Sequence, residues 1–416
     1  MHNQLICWQI LKSNFSFFNL YKRLIIWVLT SFYNFYWTLV MLDYYDSLLV
    51  NYNPSGVLFT FAIWCIMLLL AKPNITISYP INNNKSRNTF LFFLLFSTVC
   101  ILGLHRWDTY HITETNFIDN YEHIEPVHAW IREHLAGRRE LVYRFINWGI
   151  SVALYCLSAI YAGCYTRNFC LACVLFLVDS MFPEMRGTSG YVLLLFGIIL
   201  LYKSKCRKSN IAIGLICIIS SLFFHRSIFI CCIFAIISLF PFDKKVFVTV
   251  SWIVYPLLII LLNKFFVSIL GLVQQFDFGN MGIADSVALY GESDFSFGSF
   301  NLTGLITRGL IQSPLYIAFF YLSNKICFNN NEVDTIIKYL YRWYYLCFYI
   351  GCLLSHVETS AWLAVRVKVM ALFPLPLLLA SFWNEERRSS IWTKMIILFG
   401  ILGGLLSFYI RYRDWV

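Results

Sequence analysis

Charge is scarce in this chain of 416 residues: Asp, Glu, Lys and Arg together make up 13% of it, against 59% hydrophobic residues. A soluble domain could not cover its surface with so few charges, so the composition excludes an ordinary globular protein of the cytosol. The charges are also unevenly placed. Residues 105–144 contain no Lys, and residues 271–302 contain neither Lys nor Arg. Cysteine is missing from both stretches although the chain has 14, so no disulfide framework organises them. Cys170 and Cys173 have the spacing of a metal or redox pair, but they sit in the apolar run FCLACVLFLV, the setting of a packed core. The chain has no HExxH, GxxxxGK[ST] or GxSxG string, which removes support for a zinc hydrolase, a P-loop ATPase or a serine esterase.

What is abundant is apolar sequence in long runs. A membrane-crossing helix takes roughly 20 mostly apolar residues, and about thirteen segments approach that length: 24–42, 55–71, 89–104, 145–165, 169–183, 188–202, 210–224, 227–240, 246–270, 303–324, 339–356, 360–382 and 391–410. The expected fold is all-α, a polytopic integral membrane protein forming one domain over 1–416, with two larger extracytoplasmic loops at 105–144 and 271–302. Lys12, Lys22 and Arg23 precede the first span, and no small-residue cleavage site follows it, so this segment is expected to be retained.

Orientation follows from the basic residues of the short loops. Lys72, Lys85, Arg87, KSKCRK (203–208), DKK (243–245) and ERRSSIWTK (386–394) fall on the same side as Lys12, Lys22 and Arg23. That side is expected to be cytoplasmic, with the N-terminus inside. The net charge of +10 is partly accounted for by these loops and is no argument for nucleic acid. Counting spans puts the C-terminus outside, against the sense of Arg411 and Arg413.

On the opposite side, ionisable groups gather at helix ends. His225 and Arg226 interrupt the apolar run SSLFFHRSIFICC at a turn too short to be a solvated loop. Arg186 in PEMRG, Arg308 in LITRGL, His356 and Glu358 in LSHVETS, and Arg366 come out near outer ends by the same count, as do seven of the eight histidines. A charge at the centre of a membrane helix costs about 2.5–3.5 kcal/mol or more, so such groups face a cavity or a partner. Any one of them is explained as well by snorkelling to the interface. Their clustering on one side points to a site.

The loop at 105–144 holds five Arg, seven acidic residues and five His. Glu125-Pro126 reads as a helix start and Gly137 as a stop, with Val127, Trp130, Ile131 and Leu135 at helical spacing between them. The pattern predicts a short amphipathic helix along the membrane surface. Arg138, Arg139 and Arg144 follow on the external side, where the orientation rule gives them no role. Arginine suits phosphate, because its planar fork donates two parallel hydrogen bonds and keeps its charge. The loop at 271–302 mixes Asp277, Asp285, Glu292 and Asp294 with Phe276, Phe278, Tyr290, Phe295, Phe297 and Phe300. Aromatic faces and carboxylates together suit a sugar, although interface-belt aromatics would look the same.

The external WDTY (107–110), the Glu125-Pro126 element, MRG (185–187) at the start of a span, FHRS (224–227) and WLAVRVKVMALFPLP (362–376) occur in this order. In these motifs the chain resembles the EpsG-like branch of the Wzy polysaccharide polymerases, over roughly residues 100–380. The resemblance implies a glycosyltransferase of a bacterial surface polysaccharide in the inner membrane. Its partners would be polyprenyl-pyrophosphate-linked repeat units, membrane lipid and a chain-length regulator protein, with no cofactor and no metal required. In that reading Arg186, Arg226 and Arg308 neutralise the pyrophosphate, supported by Arg138, Arg139, Arg366 and His356. Asp108 is the first candidate for the general base, with His225 and Glu125 behind it. A flippase for lipid-linked oligosaccharide, or another membrane glycosyltransferase or acyltransferase, remains open. A transporter should show internal repeats and charges deep in both membrane halves; no repeat is evident and the ionisable groups favour the outer side.

Overall fold

The computed structural model describes residues 125–135, 140–162, 185–203, 208–275 except Arg226, 316–328, 333–356 and 361–383, with a few isolated positions beyond. Among these residues there is no strand. The elements are α1 (Pro126–Trp130), running into a π turn (Ile131–Leu135), α2 (Glu140–Tyr161), α3 (Met185–Lys203), α4 (Lys208–Ser221), α5 (Ile228–Ile237) and α6 (Lys245–Gln275). There follow α7 (316–323), which ends in a second π turn (Asn324–Phe328), then α8 (Thr335–Leu354), α9 (Ala361–Leu372) and α10 (Leu375–Trp383).

The expected spans 145–165, 188–202, 210–224, 227–240, 246–270 and 339–356 correspond to α2, α3, α4, α5, α6 and α8. Three boundaries need correction. Helix α2 begins at Glu140, inside the segment assigned to the loop, and the span expected at 360–382 is broken into α9 and α10 at Phe373-Pro374. Pro374 has no N–H for the helical ladder and its ring crowds the preceding turn, so the chain turns there and restarts with Leu378 N–H donating to the Pro374 carbonyl. The first five residues assigned to the 271–302 loop, 271–275, are instead the end of α6. The expected spans 24–42, 55–71, 89–104 and 169–183, residues 276–302 of the expected loop and the Cys170/Cys173 pair lie outside the described residues, as does nearly all of 391–410.

Helix α8 is the axis of the bundle. Fifteen of its residues are buried, among them Tyr339, Tyr341, Trp343, Tyr344, Tyr345, Phe348 and Tyr349. A helix apolar on every side is one surrounded by others. Its tyrosine hydroxyls are not left without partners: Tyr339 donates to the Ala235 carbonyl at 2.7 Å, Tyr349 to the Ser251 carbonyl at 2.5 Å, and Tyr341 lies 2.9 Å from Ser323 Oγ. Helix α9 closes on α8 where Gly351 leaves room for the stem of Lys368, since a Cβ on Gly351 would stand 2.5 Å from Lys368 Cγ.

The periphery is the reverse. Ile216 on α4, Ile236 on α5 and Ile253 and Ile260 on α6 are 58–71% exposed as a group with their neighbours Ile219 and Phe240. Lys245–Phe265 in α6 is long and apolar enough to cross a membrane. Exposed apolar residues in such numbers mark an interaction surface. One end of the bundle is closed by ion pairs: Lys203 Nζ to Asp334 Oδ2 at 2.7 Å, and Arg342 Nε to Asp243 Oδ1 at 2.6 Å. The candidate site lies at the other end, where α3 begins and α4 turns into α5.

Candidate functional site

Four segments meet there. Helix α1 starts at Glu125, whose backbone is extended and which Pro126 follows at the first helical position, as the sequence predicts. Its side chain makes no capping bond and is 9% exposed. The amphipathic stripe is only half as expected. Ile131 is buried and Val127 partly so, but Trp130 and Leu135 are exposed, and His128 is fully buried instead. The Tyr143 hydroxyl lies 3.1 Å from His128 Nδ1, and Phe224 meets its ring edge-on with centroids 5.8 Å apart. These contacts turn α1 so that Glu125 faces the α4–α5 turn.

That turn, residues 222–227, brings His225 Nε2 to 4.0 Å from Glu125 Oε1, with the imidazole side chain 16% exposed. Two of the three candidate bases, 100 residues apart in sequence, are thus adjacent in space. On the other edge of the ring, Ser227 Oγ lies 2.5 Å from His225 Nδ1, and the Ser227 backbone N–H donates to the same nitrogen at 3.2 Å. The Tyr191 hydroxyl, from α3, lies 2.5 Å from Ser227 Oγ. Tyr191 is held in turn by Phe373 at the α9–α10 break, stacked at 4.5 Å. The continuous array is Tyr191, Ser227, His225, Glu125.

Helix α3 can come this close because of Gly190. A Cβ there would meet Ile228 Cδ1 at 2.4 Å, Phe224 Cβ at 2.9 Å and the Ser221 carbonyl oxygen at 3.2 Å. Arg186 is in the first turn of α3, one turn before Gly190 and so about 6 Å along the axis. Arg226 is joined to His225 and Ser227 in sequence and itself lies outside the described residues, as do Asp108, Arg138, Arg139 and Arg308. Arg366 belongs to α9, two turns before Phe373. His356 stands at the end of α8, where its carbonyl accepts from Asn263 Nδ2 at 3.2 Å and its ring meets Tyr255 edge-on at 5.9 Å; these partners are on α6, apart from the Glu125–His225 pair.

Comparison with protein-family models, with curated proteins and with solved structures finds no match. The residues must therefore carry the functional argument. Sequence reasoning missed Ser227, Tyr191, His128 and Phe373. Ser227 stands in the FHRS motif, but polar hydroxyls at helix starts are common and only the ring contact singles it out. Phe373 and Tyr191 carried no signal beyond aromaticity. Among the described residues no group of three or more His, Cys, Asp or Glu side chains is arranged to hold a metal ion.

Chemically, the array joins a carboxylate, an imidazole and two hydroxyls in largely water-excluded surroundings. Such an array can accept a proton from a substrate hydroxyl and hold that hydroxyl in place. Arg186 belongs to the first turn of α3, whose start lies at this end of the bundle.

Proposed function

We propose that the protein is a glycosyltransferase of the polysaccharide-polymerase type. It transfers a polyprenyl-pyrophosphate-linked glycan chain onto an incoming lipid-linked repeat unit on the outer side of a bacterial inner membrane. It crosses that membrane about thirteen times with its N-terminus in the cytoplasm. The observation that carries the reading is the meeting of Glu125 and His225 at the end of the bundle where α3 brings in Arg186. The exposed apolar surface of α4, α5 and α6 supports the membrane setting, and the ion-paired far end carries the basic loops that belong inside.

The chemistry requires little beyond this. Pyrophosphate is a good leaving group, so the protein has to neutralise the charge that develops on it and relieve a sugar hydroxyl of its proton. Arg186, Arg226 and Arg308 perform the first task, with Arg138, Arg139 and Arg366 extending the positive surface. A carboxylate or imidazole performs the second. Asp108 is a further candidate from the sequence.

A membrane acyltransferase is favoured by one contact, that of Ser227 Oγ on His225 Nδ1, which resembles an activated hydroxyl. In that case a stable acyl adduct would form on Ser227.

The test uses purified protein and the lipid-linked repeat unit that accumulates in cells lacking it. Elongation of that unit in the presence of a chelator is expected. Replacing Arg186, Arg226 or Arg308 by Ala should slow it roughly 10- to 150-fold, the value of one charge-assisted hydrogen bond of about 1.5–3 kcal/mol made in the transition state. Lys at these positions should restore only part of the rate. Movement of the lipid-linked unit across the membrane without elongation would replace this reading with that of a flippase.

A further inference from the structure

We infer that Glu125 carries the proton-accepting atom of this site, and that Ser227 and Tyr191 are positioning residues that fix His225 in the tautomer with its proton on Nε2. The assignment of the proton acceptor rests on the polymerase reading; the tautomer does not.

One hydrogen beside the His225 ring has a fixed place. The Ser227 backbone N–H points at His225 Nδ1 at 3.2 Å, and a backbone amide can only donate. Nδ1 therefore presents its lone pair, and the proton of the neutral ring is on Nε2. With Nδ1 an acceptor, the Ser227 hydroxyl at 2.5 Å donates to it as well. The Ser227 oxygen is then free to accept, and the Tyr191 hydroxyl at 2.5 Å donates to it. These two bonds run one way: Tyr191 O–H to Ser227, Ser227 O–H to Nδ1. The nitrogen that a base would use is covered by the protein itself, while Nε2 faces Glu125 as a donor.

The separation of Nε2 and Oε1, 4.0 Å, exceeds a direct hydrogen bond. A hydroxyl oxygen about 2.8 Å from both atoms subtends about 90° between them, near the angle available between a lone pair and the O–H bond of an alcohol. A sugar hydroxyl placed there accepts from His225 Nε2–H and donates to Glu125. In the transfer step its proton passes to the Glu125 carboxylate. A remaining oxygen lone pair forms the new bond to the anomeric carbon of the donor. The bond from that carbon to the pyrophosphate oxygen breaks, and its electron pair leaves with the phosphate. His225 keeps its proton throughout and orients the oxygen.

The chain offers a clean way to observe this ring. Phe224-His225 is the only Phe-His pair in the sequence, so full-length protein labelled with carbonyl-13C Phe and 15N His, reconstituted in lipid, selects His225 by its amide. Correlation from that amide into the ring reads the two ring nitrogens without any variant. The expected spectrum has Nε2 protonated and Nδ1 unprotonated, and Ser227→Ala, which keeps the backbone N–H but loses the hydroxyl bond, should keep Nε2 protonated while shifting the Nδ1 resonance toward that of a more weakly hydrogen-bonded nitrogen. An Nδ1-protonated ring in the unaltered protein overturns the proposal whatever the reaction catalysed. In the elongation assay, Glu125→Gln should lower kcat by roughly 10²–10⁴-fold with KM little changed. His225→Gln, which keeps an N–H donor but has no basic nitrogen, should retain at least about tenfold more activity than Glu125→Gln. The opposite order makes His225 the base and refutes the assignment. Absence of elongation by the unaltered protein would refute the polymerase reading while leaving the tautomer result standing.

Discussion

Gly190 is the point at which packing and the site are most directly linked. Substituting Ala places a Cβ 2.9 Å from Phe224 Cβ and 3.2 Å from the Ser221 carbonyl, against an ordinary lower limit near 3.4 Å. The 2.4 Å approach to Ile228 Cδ1 can be relieved by rotating that methyl. The other two cannot, because one atom is backbone and the other is fixed to it. Helix α3 must therefore retreat from the α4–α5 turn by about half an ångström. Overpacking of this kind costs about 1–3 kcal/mol, or roughly 5- to 150-fold in unfolding rate if the contact is lost before the transition state. Tyr191 is the next residue, so the same retreat draws its hydroxyl away from Ser227. Gly149 in α2 is the control, since a Cβ there meets nothing within 4 Å, and Ala is worth about 0.5–1 kcal/mol over Gly inside a helix. The assay is the inactivation half-life of the two variants in detergent at one temperature, together with their elongation rates before heating. Gly190→Ala should be the shorter-lived and the slower. Equal half-lives and equal rates for the two would refute the close approach of α3 to the turn.

At the opposite end, Arg342 and Asp243 form a pair whose side chains are 19% and 13% exposed. Arg342→Ala leaves Asp243 without this partner and should destabilise by about 1–3 kcal/mol, whereas Arg342→Met with Asp243→Leu should recover most of the loss; this is read from the same half-lives. Asp334 caps α8 by accepting from the Ile336 N–H at 3.2 Å and pairs with Lys203. Its burial raises the carboxyl pKa, but the Lys203 and backbone hydrogen bonds outweigh this and hold it below the ordinary value. A folded value below the unfolded one gives stability that is full above the unfolded value and fades as pH falls through the lowered one. The loss on acidification should be no more than about 1 kcal/mol, because half of the side chain is in solvent. Asp334→Asn, which retains the cap, should remove the acid dependence while costing less than Asp334→Ala, expected at about 0.5–2 kcal/mol; an unchanged acid profile in Asp334→Asn would assign it to other groups.

The helices were legible because their cause is local. Apolar runs bounded by charges mark α2 to α6 and α8, and the Glu125-Pro126 start of α1 follows from what proline can and cannot do at a first helical turn. The break at Phe373-Pro374 was equally written in the letters FPLP, yet a hydropathy reading passes over it, since Pro and its neighbours are as apolar as the helix they interrupt. Lys368 shows the converse. It stood in view beside Arg366, but its burial depends on Gly351, seventeen residues earlier and on another helix.

The site separates these two kinds of information further. His225 and Glu125 could each be picked out, because an ionisable group in apolar surroundings is costly enough to need a reason. Nothing in the sequence pairs them, since the contact depends on how α1 is rolled, and that is set by His128, Tyr143 and Phe224 rather than by the stripe of Val127, Trp130, Ile131 and Leu135. The direction of proton flow depends on something finer still, the aim of one backbone N–H at one ring nitrogen. That choice fixes what each residue can do. In the proposed reaction, with Nδ1 covered, a histidine that composition would nominate as the base becomes the donor, and the carboxylate opposite it receives the proton.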